Sequence, residues 1–180
     1  MTDATGGKTT VRVSRVFDAP RERVFRAWTD PKQFLRWFAN PGDEVRIVRF
    51  DARTGGSFDV EGEFEGELWR VAGTWSEVRA PERLVFTWRS TLERPKPGRD
   101  GSQHPGSGDT VVTVDFIDRD GKTEIRLEHS GFTTEISHRE HDEGWKQCLD
   151  RMAAVVAVMA ETNETNETNE TNDEESGGTR

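Results

Sequence analysis

The stretch EHDEGWKQCLDRMAAVVAVMA, Glu140 to Ala160, decides the reading of this chain. Trp145, Cys148, Leu149, Met152, Val155, Val156 and Met159 recur at spacings of three and four, one apolar stripe on a helix. His141, Glu143, Lys146, Gln147, Asp150 and Arg151 fall mainly off the stripe and keep it soluble. At a rise of about 1.5 Å per residue such a helix is roughly 30 Å long. A stripe of that length needs an equally long apolar surface to cover it.

The rest of the chain supplies one. Val11 to Phe17 reads as a short strand. Pro20 opens a helix whose buried face is Val24, Phe25 and Trp28. Asp30-Pro31 starts a second, an acid at the N-cap and proline where the missing N–H costs little. That helix presents Phe34, Leu35, Trp37 and Phe38 and stops at Asn40-Pro41-Gly42. From Asp43 the period falls to two. Val48 and Phe50 alternate with Arg46 and Arg49, although Val45 and Ile47 blur the pattern. Phe58, Val60 and Phe64 then alternate with acids, one dry face and one wet. Leu68 to Val78 is apolar on both faces. Leu84, Phe86 and Trp88, then Val112, Val114 and Phe116, then Ile125, Leu127 and His129 complete the set, and Asp120-Gly121 marks a hairpin turn. Strand, two helices, about six hairpin-linked strands and a final helix make an α+β fold with a meandering antiparallel sheet.

The chain has 180 residues, and 11–160 suits one domain. Residues 1–10 read as a flexible N-terminus, 91–108 as a long loop rich in Pro, Gly, Lys and Arg, and 161–180 as a disordered tail built on Glu-Thr-Asn repeats. The tail carries −6 of the net charge of −9. Arg12, Arg15, Arg21, Arg23 and Arg26 are interspersed with Asp18 and Glu22, so no basic face for nucleic acid is expected. No apolar run is long enough to span a membrane, and Met1 to Thr10 lacks the apolar core of a signal peptide. Cys148 is the only cysteine, and a cytoplasmic protein is expected.

Arg15-Val16-Phe17-Asp18-Ala19-Pro20, Phe34-Leu35-Arg36-Trp37-Phe38, Thr54-Gly55-Gly56-Ser57-Phe58, Gly73-Thr74-Trp75-Ser76-Glu77-Val78, Pro81-Glu82-Arg83-Leu84, His129-Ser130-Gly131-Phe132 and Gly144-Trp145-Lys146-Gln147-Cys148-Leu149 occur in the order of a known family. The chain resembles the START-like (SRPBCC) superfamily, and most closely the branch of homologues of the activator of heat-shock protein 90 ATPase. The resemblance runs from about Val11 to Ala160. It implies a helix-grip fold, an antiparallel sheet wrapped around the C-terminal helix with two short helices after the first strand and an apolar cavity between sheet and helix.

Sixteen Phe and Trp stand against ten Leu and Ile. Stiff rings suit both a packed core and stacking on a flat ligand. The residues expected to line a cavity are Trp37, Phe58, Trp69, Trp75, Phe86, Trp88, Phe116, Leu127, His129, Trp145, Leu149 and Met152. His129, in phase with Ile125 and Leu127, faces inward and is the one candidate base, or else a hydrogen-bonded structural histidine. His138 and His141 lie three apart around Glu140, but no third ligand of suitable spacing accompanies them, so no metal site is expected. Cys148 has no evident activating base and reads as a small core residue. The sequence holds no cofactor fingerprint. It has no tyrosine to stabilise an enolate as a phenol would, which favours a binding domain over an enzyme.

The primary expectation is binding of a small hydrophobic or aromatic molecule in the cavity. The alternatives are a cyclase, hydrolase or isomerase using the same cavity through His129, or a co-chaperone stimulating a heat-shock protein ATPase. Only the family name motivates the chaperone partner. The activators that gave that name carry a further N-terminal domain, and this sequence starts directly at the first strand.

Overall fold

A computed structural model describes residues 9–64, 66–92 and 110–173. The element order is β1 (Thr9–Phe17), α1 (Arg21–Thr29), α2 (Pro31–Phe38), β2 (Glu44–Phe50), β3 (Ser57–Phe64), β4 (Glu67–Arg79), β5 (Arg83–Leu92), β6 (Thr110–Arg119), β7 (Lys122–Phe132) and α3 (Glu135–Asp173). Seven strands form one antiparallel sheet in the order β1-β7-β6-β5-β4-β3-β2. β2 to β7 are a meander, and β1 closes on β7 by pairing Val11 with His129 and Val13 with Leu127. The first strand and the meander meet only because α1 and α2 carry the chain across to the far edge. α3 packs on β1, β7 and both short helices. This is the helix-grip arrangement.

Local chemistry sets the helix ends. The Asp30 side chain accepts from the Gln33 N–H at 3.0 Å, and Pro31 occupies the first helical position. α3 starts at Glu135, five residues before Glu140, because Thr134 caps it: the Ser137 N–H donates to Thr134 Oγ1 at 3.1 Å. At its other end the backbone stays helical to Asp173, past the expected end at Ala160 and into the repeat assigned to the disordered tail. Glu-Thr-Asn has no apolar period from which a helix can be read. Two other expected boundaries move outward. β1 begins at Thr9, inside the stretch read as flexible, and β5 runs to Leu92, inside the stretch read as the 91–108 loop. The remainder of that loop, residues 1–8 and 174–180 lie outside the described residues.

The β6–β7 turn is the tight hairpin that Asp120-Gly121 announces, both residues at positive φ. Two β-bulges explain the strands whose alternation was hard to read. One lies between Ile47 and Arg49: Val45, Ile47 and Phe50 pack inward, while Val48 is exposed, the opposite of the phase read from Val48 and Phe50. The other, between Trp75 and Glu77, lets β4 bring Trp69, Val71 and Trp75 to the inner face and still bring Val78 to the core. An extra residue in one strand shifts every later side chain to the other face.

Gly62 on β3 pairs with Trp69 on β4, and the indole lies across the glycine. A Cβ built there would sit 2.2 Å from the Trp69 ring. The missing side chain is what lets Trp69 lie flat. Gly62→Val is expected to expel the indole and to destabilise the protein by about 2 kcal/mol, within the range for overpacking. A blue-shifted, unperturbed Trp69 emission in that variant would show that the ring does not need the glycine.

The core lies between the concave sheet and the three helices. Of the α3 stripe, Trp145, Leu149, Met152, Val155 and Val156 are buried and Cys148 is half-buried. Of the β1 arginines, Arg12 pairs with Glu128 on the outer face at 2.8 Å, and half-buried Arg15 pairs with Asp150 on α3. Exposed pairs of this kind contribute at most about 1 kcal/mol each.

Candidate functional site

Aromatic rings fill the deep interior. Trp28 packs on Trp37 at 4.7 Å between ring centres, on Trp145 at 5.9 Å and on Phe116 at 6.4 Å. Phe86 touches Trp75 at 4.9 Å and Phe58 at 5.6 Å. Of the residues expected to line a cavity, Trp37, Phe58, Trp75, Phe86, Phe116, Leu127, Leu149 and Met152 sit in this packing, none more than 3% exposed. The structure thus places most of that set in the core and brings Trp69, Trp88 and Trp145 together at an open cleft.

The cleft lies between the first turns of α3, the end of α2 and strands β4 and β5. It has a volume of about 450 Å³ and is lined by Phe38, Asn40, Trp69, Val71, Ser90, Ser137, Glu140, His141, Glu143, Gly144, Gln147, Cys148 and Arg151. A recess of about 150 Å³ opens beside it between Phe38, Trp88, Glu140, His141, Gly144, Trp145 and Cys148. Its walls are almost wholly apolar, and its size is that of a cavity that takes one small ring. The two spaces share Phe38 and Gly144, so they form one continuous surface. A Cβ placed on Gly144 would meet nothing within 4 Å. A mid-helix glycine costs about 1 kcal/mol against alanine, and here its absent side chain leaves open the floor of the cleft.

His129 stands behind the recess, fully buried. Trp145 Nε1–H donates to His129 Nδ1 at 3.0 Å. Indole nitrogen can only donate, so Nδ1 is the acceptor and the ring proton is on Nε2. That proton is donated to Thr110 Oγ1 at 2.7 Å, and Thr110 donates onward to the Trp88 carbonyl at 2.9 Å. Burial, reinforced by neighbouring His141, pushes the imidazole down to about 2. The ring is therefore neutral, its one lone pair is held by Trp145, and it has no vacancy for a substrate proton. Of the two roles open to it, the geometry matches the hydrogen-bonded structural one. Three other buried indoles, Trp28, Trp75 and Trp88, keep Nε1 without any acceptor. Each such group costs about 1–3 kcal/mol; Trp145, and Trp37 whose Nε1–H donates to the Ala27 carbonyl at 2.8 Å, are the paired indoles of this core.

His141 Nδ1 donates to the Ser137 carbonyl at 2.8 Å, and its ring packs on Phe132 at 4.8 Å. It is half-buried, nearer the apolar stripe than its sequence position suggests. His138 reaches the Thr10 carbonyl at 3.3 Å. Among the described residues no three His, Cys, Asp or Glu side chains converge to hold a metal. Burial pushes the Cys148 thiol up to about 11, against the opposing pull of Arg151, so it stays protonated at neutral pH. Arg151 Nε donates to the Trp37 carbonyl at 2.9 Å and Nη2 to the Phe38 carbonyl at 3.5 Å. It caps the C-terminus of α2, where a cation is favoured.

Residue periodicity missed Phe38, Gly144, Gln147 and Arg151 as cleft residues. One signal was available: a glycine inside a strong amphipathic helix, followed at i+4 by the lone cysteine and at i+7 by an arginine, all on one flank of the stripe.

A seven-stranded sheet gripping a C-terminal helix, with a cleft and its apolar recess at one end of that helix, defines an α+β domain of the START-like type. Residues 18–157 match the family model described as Activator of Hsp90 ATPase homolog 1-like protein, and the chain belongs to that family. Comparison with curated protein sequences returns no match. Solved structures agree on the fold. Protein CV1439 from Chromobacterium violaceum is 26% identical with a TM-score of 0.68, over 82% of this chain and 96% of its own. CalU16 from Micromonospora echinospora is 25% identical with a TM-score of 0.59, over 93% and 90%. The AHSA1 protein from Silicibacter pomeroyi is 22% identical with a TM-score of 0.68, over 84% and 99%. Among the described residues no helix is long and apolar enough to cross a membrane.

Proposed function

We propose that this chain binds a small, flat, hydrophobic molecule in the cleft between α3, α2 and strands β4 and β5. The observation that carries the reading is Gly144. The helix gives up helix propensity at a position that lines both the recess and the cleft, where a Cβ would meet nothing within 4 Å. The fold supports it, since related domains are generally ligand-binding. One ring would enter the recess and the remainder would lie along the cleft, against Trp69 and Val71. This places the ligand at one end of the α3 grip, with the buried rings as its support.

Titration of naphthalene-based probes by tryptophan quenching tests the proposal. Wild type should show saturable quenching, and Gly144→Leu should abolish it. The same substitution should leave stability equal or higher by up to about 1 kcal/mol, because leucine is the better helix former and its Cβ meets nothing within 4 Å. Saturable quenching that survives in Gly144→Leu would place the ligand elsewhere. No quenching of wild type by any flat probe would remove the cleft reading altogether.

A further inference from the structure

We infer that the ligand of the cleft carries an acidic group, and that Arg151 receives it. This rests on the cleft reading and specifies its chemistry. Among the described residues Arg151 is the one Lys or Arg lining the cleft. Its guanidinium is held in place by the Trp37 and Phe38 carbonyls through Nε and Nη2, and Nη2 also touches Cys148 Sγ at 3.3 Å. Nη1 has no partner among the described residues, yet it is not among the buried unpaired atoms. It therefore presents its N–H groups to solvent from a fixed frame. No carboxylate of the described residues pairs with this arginine. A half-buried guanidinium whose Nε and Nη2 are held by backbone carbonyls and Cys148, with the Nη1 N–H groups open, is preorganised to donate to one oxygen of an oxyanion.

The acids on the cleft do not cancel this. Glu143 and Glu140 precede Arg151 by eight and eleven residues on the same helix. At about 1.5 Å per residue they lie roughly 12 and 16 Å away along the axis. Those are backbone separations; the Arg151 guanidinium itself is turned to α2, where the Trp37 and Phe38 carbonyls hold it. The cleft is thus polarised along α3, acidic at the start of the helix and cationic at Arg151. Between the two ends stand Gly144, Phe38, Trp69 and Cys148, an apolar floor long enough for a bicyclic ring. A flat aromatic carboxylate fits that order: ring on the floor, carboxylate on Nη1, and the recess open to any further ring.

The test compares 2-naphthoate with its methyl ester, probes of nearly equal shape that differ in charge. Titrated by tryptophan quenching, wild type should bind the acid about tenfold more tightly than the ester, the scale of one charge-assisted hydrogen bond. High salt should narrow that gap and leave the ester unaffected. Arg151→Gln should bring the acid down to the affinity of the ester, and Gly144→Leu should abolish both. Arg151 also ties α2 to α3, so Arg151→Lys serves if the glutamine variant does not fold. It keeps the charge without the backbone-held frame and should retain part of the preference. Equal binding of acid and ester to wild type overturns the assignment of an acidic ligand while the cleft stands. A full tenfold preference surviving in Arg151→Gln overturns the role of Arg151. If neither probe binds wild type, the cleft reading and this inference fall together.

Discussion

Trp28→Ala is expected to lower the melting temperature by about 6–20 °C. Trp28 is fully buried and joins the helices to the sheet: its ring meets Trp37 on α2, Trp145 on α3, and Phe86 and Phe116 on β5 and β6. Truncating a buried tryptophan to alanine costs about 3–5 kcal/mol, because the transferred area is lost and the cavity does not collapse. At about 2–4 °C per kcal/mol for a domain of this size, that gives the shift stated. It would take a large part of a total stability of about 5–15 kcal/mol. Trp28→Phe should cost far less. It keeps most of the ring and removes an indole N–H that has no acceptor, so part of the lost packing is offset. Thermal denaturation of the two variants side by side checks this. A loss below about 1 kcal/mol for alanine would mean that these rings are not what holds the grip closed.

The second large effect is on pH. His129 is neutral in the folded state, its pKa pushed from 6.5 down to about 2, chiefly by burial. In the unfolded chain it takes up a proton below pH 6.5 that the folded protein cannot accept. The contribution is therefore complete above pH 6.5 and is lost progressively as the pH falls from there toward 2. The slope approaches about 1.4 kcal/mol per pH unit inside that window. Chemical denaturation at pH 7.5, 6.5, 5.5 and 4.5 measures it, with His129→Gln as the reference that removes this one proton and keeps the rest. The wild type should be steeper than the variant by about one proton below pH 6. Parallel profiles would mean that the imidazole protonates in the folded state, and that the bonds to Trp145 and Thr110 do not hold its tautomer. Such a result would also return His129 to the list of candidate bases.

Where one element's pattern is set by one face, its sequence showed it. The α3 stripe, the Asp30-Pro31 start, the Asp120-Gly121 turn and the inward phase of His129 all follow from periods and caps within a single segment. The bulges at Val48 and next to Trp75 hid the phase of β2 and β4, since an inserted residue breaks the very alternation by which a strand is read. The partner of His129 was out of reach for a different reason. Thr110 is separated from Val112 by a single residue, but it borders the long loop and lacks the apolar side chain that would mark it as part of the strand. The cleft was harder still. Aromatic residues announce only that they will be buried, and whether they meet one another or leave a gap depends on how three elements close. Gly144 and Arg151 carry the information, one by lacking a side chain and the other by pointing a charge back at α2; their spacing on one flank of the stripe is in the sequence, but what they frame is not until the elements are side by side.

The ring network has an optical consequence. Trp88 and Trp145 stand 5.2 Å apart, Trp145 and Trp28 5.9 Å, Trp28 and Trp37 4.7 Å. At such separations an excited state does not stay on the indole that absorbed the photon but hops among its neighbours. An acceptor resting against Trp88 would then drain the whole chain of rings, including those it never touches. The interior would act as an antenna, and its entrance as the sink.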